Sequence, residues 1–210
     1  MTRILVADDH GVVREGVKRI ISEAPDMVLV GEADTGEEAL EKALTLDCDM
    51  LLLDITMPGR SGFDVMRELR TQRPGLRILV LSMHPEEQYA VRVLRAGACG
   101  YVSKETAPQE LLSAIHRVAL GGRYVSSSLA EMMAFNLARG GEEKPHESLS
   151  DREYQVLCLI ASGRTVKEIA AELMLGTKTV STYRQRLLEK MGMSGNADLI
   201  RYAMRNDLVE

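Results

Sequence analysis

The sequence predicts an α/β fold followed by an all-α one: an open, doubly wound parallel sheet of five strands, a linker, and a unit of four helices. Over residues 1 to 122, five short apolar runs alternate with helix-period stretches, the rhythm of a parallel sheet covered by helices on both faces. From residue 148 onward the apolar period is helical throughout. Between the two, "RGGEEKPHES" sets Gly140, Gly141 and Pro145 among mixed charges, the composition of a flexible linker.

The strands are expected at "ILVA" (4 to 7), "MVLVGEA" (27 to 33), "MLLL" (50 to 53), "ILVL" (78 to 81) and "GYV" (100 to 102). Helices are expected near 11 to 23, 36 to 46, 61 to 71, 86 to 96 and 107 to 120, with a further one at 129 to 139 inside the linker region, 123 to 147. Thr35 with Glu38, and Thr106 with Gln109, have the spacing of a capping box, and Pro85 suits an early helical position. In the last unit, 148 to 210, Ser150 with Glu153 opens the first helix and Gly163 ends it. Thr165 with Glu168 opens the second, which should end near Gly176; Thr177 opens the third, to about Met191; the fourth covers 197 to 206.

A chain that is 45% hydrophobic and 27% charged forms a real core and is neither disordered nor collagen-like. No apolar run approaches the roughly 18 residues of a membrane span, and "MTRILVADDH" turns acidic before a signal peptide would be complete, so a cytoplasmic protein is expected. Cys48, Cys99 and Cys158 are far apart and form no C-x-x-C pair, which argues against a disulfide framework or zinc site. The net charge of −5 is uneven: 14 basic against 19 acidic residues in 1 to 122, but 9 against 8 in 148 to 210. Only the second unit is suited to a polyanion.

Asp8 and Asp9 follow the first strand, Asp54 the third, Ser82 closes the fourth, and Lys104 follows the fifth. In an open parallel sheet these ends share one edge, where ligands bind, so the side chains converge. Three carboxylates in one crevice repel unless a cation neutralises them, and an all-oxygen cluster with room for waters suits Mg²⁺. A lysine and a hydroxyl beside that cluster are the parts that hold a transferring phosphoryl group, with Asp54 as the nucleophile.

On the motifs "ADDH", "LLLDITMPGRSG", "LSMH" and "AGACGYVSKE", the first 122 residues resemble a response-regulator receiver domain, which has a flavodoxin-like fold. The resemblance implies that Asp54 takes its phosphoryl group from a sensor histidine kinase. It also implies that Asp9, Asp54 and the Thr56 carbonyl bind Mg²⁺, with Asp8 acting largely through water, while Ser82 and Lys104 hold the phosphate oxygens. Tyr101 would swing inward as Ser82 moves, altering the face built from the fourth helix and the fifth strand and helix. Many receivers carry proline after the lysine where this chain has Glu105; a cis bond there would cost roughly 3 kcal/mol.

The stretch "TKTVSTYRQRLLEKMGM" places Val180, Tyr183, Leu187 and Met191 on one helix face and polar or basic residues on the other. The short helix "VKEIAAELML" precedes it across a tight turn, the helix-turn-helix arrangement whose second helix enters a major groove. With "LSDRE", "KEIAAEL" and "TVSTYRQRLLEKMGM", this unit resembles the four-helix DNA-binding domain of the LuxR family, also called the NarL/FixJ type. The resemblance implies base contacts near Ser181, Thr182 and Gln185, and phosphate contacts at Lys167, Lys178, Arg184 and Lys190. Thr165, Val166, Ser181 and Tyr183 depart from the common pattern, so a different operator preference is expected. Dimerisation is expected through the last helix, where Ala197, Ile200, Ala203 and Met204 form an apolar stripe.

The whole reads as a two-component transcription regulator that binds double-stranded promoter DNA as a homodimer and has no membrane partner. It is not an enzyme beyond assisting its own phosphorylation and dephosphorylation. The alternatives are a receiver whose C-terminal bundle binds only protein, and an aspartyl-phosphate phosphohydrolase; the latter usually has a second acid where Thr56 stands.

Overall fold

The expected apolar runs become five strands, β1 (Thr2–Ala7), β2 (Met27–Ala33), β3 (Met50–Leu53), β4 (Arg77–Ser82) and β5 (Gly100–Ser103), in a computed structural model that describes residues 1–138, 144–206, 208 and 209. They pair in parallel in the order β2-β1-β3-β4-β5. Every residue of β3 is buried, which is why "MLLL" shows no alternation: helices cover both faces. Those helices are α1 (Gly11–Ser22), α2 (Gly36–Thr45), α3 (Gly62–Gln72), α4 (Glu86–Ala96) and α5 (Pro108–Ala119), followed by α6 (Ser127–Ala138). On one face Ile4, Val6, Met50, Leu52, Leu79, Leu81 and Val102 pack with Val17 and Ile21 of α1 and Leu111, Ile115 and Val118 of α5.

Three expected details differ. Thr106 and Gln109 make no capping box: α5 begins at Pro108, with Ala107 as an uncapped N-cap in extended conformation. The cause is Pro108, whose ring disfavours a helical residue before it and so moves the start one position along. Pro85 likewise sits just before the first turn of α4 rather than inside it. Thr35 does cap α2 by accepting from the Glu38 N–H, but the Glu38 carboxylate reaches back to the Asp34 N–H instead of to Thr35.

The chain divides into two compact units, Met1–Phe135 and Asn136–Glu210. Of the expected linker, Gly140 and Gly141 lie outside the described residues, and Pro145–Ser148 forms a short 3₁₀ turn. The second unit then consists of α7 (Asp151–Ala161), α8 (Val166–Glu172), α9 (Thr177–Met191) and α10 (Asn196–Arg205). Ser150 with Glu153, and Thr165 with Glu168, form complete capping boxes, and Gly163 reverses the chain after α7 at φ +83°. α8 ends earlier than its sequence period suggests, because Met174 turns left-handed (φ 50°), a state that no glycine signals. Among the described residues no helix is long and apolar enough to cross a membrane, no peptide bond is cis, and the three cysteines are free.

Candidate functional site

The parallel register brings the strand ends into line: Ala7 pairs with Leu53, Leu53 with Val80, and Ser82 with Ser103. Backbone bonds carry the alignment past the strands, from the Asp54 N–H to the Ala7 carbonyl (2.8 Å) and from the Lys104 N–H to the Ser82 carbonyl (2.8 Å). Asp8, Asp54 and Lys104 therefore meet. The Lys104 Nζ lies 2.7 Å from Asp8 Oδ2 and 2.6 Å from Asp54 Oδ2, with all three side chains no more than 2% exposed. Burial pushes the Asp54 carboxyl up to about 6, against the pull of Lys104 and of the Thr56 N–H. One ammonium facing two buried carboxylates leaves the pocket a net anion.

Asp8, Asp9, His10 and Asp54 each offer a ligand atom, all within 4.8 Å of one another. Asp8 Oδ2 and Asp9 Oδ1 are buried without a hydrogen bond; their close neighbours, Lys104 and the His10 ring, stand at ion-pair distance but out of hydrogen-bonding line. Orphaned carboxylate oxygens in an anionic pocket fit a bound divalent cation. His10, which sequence reading left unassigned, adds a nitrogen to the rim, its Nδ1 2.8 Å from Asp9 Oδ1. Its position directly after "ADD" was the available signal.

Ser82 is fully buried at the end of β4, its Oγ accepting from the His84 N–H at 3.2 Å. His84 is the other residue that sequence reading passed over. Its ring nitrogen Nε2 lies 3.0 Å from Thr56 Oγ1, its ring stacks on Tyr89 with centroids 4.5 Å apart, and its carbonyl accepts from Tyr101 Oη at 2.7 Å. Tyr101 thus stands inward and fully buried. Burial holds its phenol well above the ordinary value.

In the second unit, Val180, Leu187 and Met191 of α9 are buried and Tyr183 half-buried, as the period predicts. Lys167, Lys178, Ser181, Thr182, Gln185 and Lys190 are exposed, and Arg184 is half-buried. Several of them have partners of their own. Ser181 and Thr182 donate to the Thr177 and Lys178 carbonyls of their own helix (2.9 and 3.0 Å), and Gln185 donates to Glu189 (3.0 Å). Arg184 Nε donates to Asn196 Oδ1 (2.6 Å) and Lys190 Nζ to Glu153 Oε2 (2.7 Å). Glu153 is only 3% exposed, so its capping box also tethers the end of α9. The expected stripe on the last helix divides: Ala203 is buried beside Leu199, Ile200 is half-buried, and Ala197 and Met204 are exposed.

An acidic crevice at a parallel sheet edge, joined in one chain to a helix-turn-helix, defines a regulator switched at one end and read out at the other. The response regulator receiver domain family matches residues 4–116, and the bacterial regulatory proteins of the luxR family match residues 147–203. The chain is 38% identical to the response regulator UvrY of Escherichia coli K12 over 99% of its own length and 96% of that protein's. It is 35% identical to the response regulator GacA of Pseudomonas aeruginosa over 100% of its length and 99% of the relative's. Among solved structures, RcsB from Salmonella enterica serovar Typhimurium, bound to promoter rprA with the phosphomimetic BeF₃⁻, is 27% identical, with a TM-score of 0.67, over 96% of this chain and 97% of that one.

The chain belongs to the two-component response regulators with a LuxR-type helix-turn-helix domain, the NarL/FixJ family. It is a transcription regulator and not a catalytic enzyme.

Proposed function

We propose that Asp54 accepts a phosphoryl group from a sensor histidine kinase and that this controls binding of a dimer to double-stranded promoter DNA. The observation that carries the reading is the buried Asp54 carboxylate, 2.6 Å from Lys104, in a cluster where one oxygen of Asp8 (Oδ2) and one of Asp9 (Oδ1) are buried without a hydrogen bond. A carboxylate oxygen of Asp54 attacks phosphorus, the phosphorus–nitrogen bond of the donor phosphohistidine breaks, and the leaving imidazole takes up a proton. Asp8, Asp9, Asp54 and the Thr56 carbonyl would hold Mg²⁺, which when bound would supply charge neutralisation at the transferring oxygens. Lys104 and Ser82 then hold phosphoryl oxygens, Lys104 giving up part of its present pairing with Asp54.

In the second unit, α9 enters the major groove. Ser181, Thr182 and Gln185 read base edges after exchanging their local bonds, and Lys167, Lys178, Arg184 and Lys190 meet phosphates. Ala197, Ile200 and Met204 on α10 form the face through which two copies pair. Such a regulator works in the cytoplasm, beside the DNA it controls. RcsB, at 27% identity, is likewise bound to promoter DNA in a structure that holds a phosphomimetic.

With a small phosphodonor and Mg²⁺, the wild type is expected to gain one acid-labile phosphate per chain and Asp54→Asn none. Persistence of that phosphate in Asp54→Asn would overturn the assignment, and removal of Mg²⁺ with a chelator should prevent the reaction in the wild type.

A further inference from the structure

After α5 the chain turns at Gly121 (φ +86°) and runs along the outer edge of β5. The Tyr124 N–H donates to the Cys99 carbonyl at 2.9 Å, Tyr124 forms a parallel bridge with Gly100, and its Oη donates to Glu110 of α5 at 2.6 Å. A Cβ on Gly100 would stand 2.6 Å from the Tyr124 carbonyl oxygen, so the glycine is what admits this strap.

Two residues on, the strap is tied to α4. Ser126 Oγ donates to Glu86 Oε2 at 2.6 Å, and the Ser126 N–H donates to Glu86 Oε1 at 3.3 Å. The same Ser126 caps α6, its Oγ accepting from the Leu129 N–H (3.1 Å) and its carbonyl from the Ala130 N–H (3.0 Å). Glu86 is the first residue of α4, and His84 lies two residues before it. His84 is held by Ser82 Oγ through its N–H and by Tyr101 Oη through its carbonyl. Pro85 between them has a fixed φ, which removes one of the soft dihedrals by which a displacement of His84 could be absorbed before Glu86.

We infer that the Glu86–Ser126 pair is a latch through which the acceptor site controls the first turn of α6, the helix leading toward the DNA-binding unit. The inference rests on Asp54 being the acceptor. When the Ser82 side chain rotates to bring its hydroxyl to a phosphoryl oxygen, its Oγ moves off the His84 N–H, which it now accepts from at 3.2 Å. The segment from His84 to Glu86 then shifts, the latch opens, and the first turn of α6 loosens.

Hydrogen exchange of the full-length chain tests this, with beryllofluoride and Mg²⁺ as the phosphoryl mimic. Peptides over 54–60 report binding and peptides over 127–130 report the latch. In the wild type, beryllofluoride should slow exchange in the first and speed it in the second by about tenfold, the worth of a charge-assisted hydrogen bond. Glu86→Ala, which leaves the Ser126 cap intact, and Ser126→Asp, which keeps a capping oxygen but repels Glu86, should exchange fast at 127–130 without beryllofluoride and gain nothing from it. Protection at 54–60 with no change at 127–130 in the wild type would overturn the latch alone, as would an undiminished response in both variants. No protection at 54–60 would remove the acceptor assignment, and the latch with it.

Discussion

Lys104 stands between Asp8 and Asp54 at 2.7 and 2.6 Å, fully out of solvent. Removing it strands two buried carboxylates, and losing one partner of a buried ion pair typically costs about 3–5 kcal/mol. Lys104→Met should therefore melt well below the wild type in a chelating buffer, with Mg²⁺ recovering part of the difference; equal deficits with and without Mg²⁺ would show that the pocket does not take the cation. Gly62 makes a second prediction, because a Cβ there would lie 2.4 Å from the Asp54 carbonyl oxygen and 2.6 Å from Ile55 Cα, neither of which can move aside. Gly62→Ala should cost about 1–3 kcal/mol in denaturant unfolding, as overpacking does, and slow phosphorylation by pushing α3 off the end of β3. The convergence of Asp8, Asp9, Asp54 and Lys104, and the place of Ser82 at the end of β4 on the same edge, were legible because strand ends in a parallel sheet must share an edge. His84 was not, since its role arises from Thr56, 28 positions away in the chain, and from a backbone carbonyl that any residue carries.

At the scale of elements, α9 is held as well as presented. Lys190 reaches the buried Glu153, whereas Lys178 stands exposed in the first turn of the same helix. Lys178→Ala should weaken DNA binding on all sequences and reduce the salt slope by about 0.9, with stability unchanged. Lys190→Ala should lower the melting temperature too. Burial raises the Glu153 pKa, but Lys190 and Ser150 outweigh it and hold the carboxyl below its ordinary 4.5. A depressed folded pKa means that the stabilisation is complete above pH 4.5 and fades as the pH falls through the lower folded value. The stability gap between wild type and Glu153→Gln should close over that range in acid titrations followed by circular dichroism. Periodicity and caps placed nearly every helix to within two residues; the end of α8 escaped because Met174 takes a left-handed turn with no glycine to announce it. The stripe on the last helix was legible only in part, since spacing groups Ala197 with Met204 but does not say which face the core occupies.

At the scale of the whole molecule, two compact units differ in charge, the first with an acidic excess and the second nearly balanced. Calorimetry should resolve two unfolding transitions, and Mg²⁺ with beryllofluoride should raise only the one belonging to the receiver, because a ligand stabilises the unit that binds it. A single transition moving as one would refute independent units. The strap at Tyr124 bears on how this receiver can be handled in isolation. A receiver fragment ending at residue 122 would lack the backbone that bonds Cys99 and bridges Gly100, uncovering the start of β5 so that its whole outer edge is open to strand addition from another molecule. Light scattering should find that fragment self-associating, while a fragment carried through to residue 135 stays dispersed. On this expectation, a few residues past α5 act as a selvedge at the start of β5, the end of the sheet's edge that they cover.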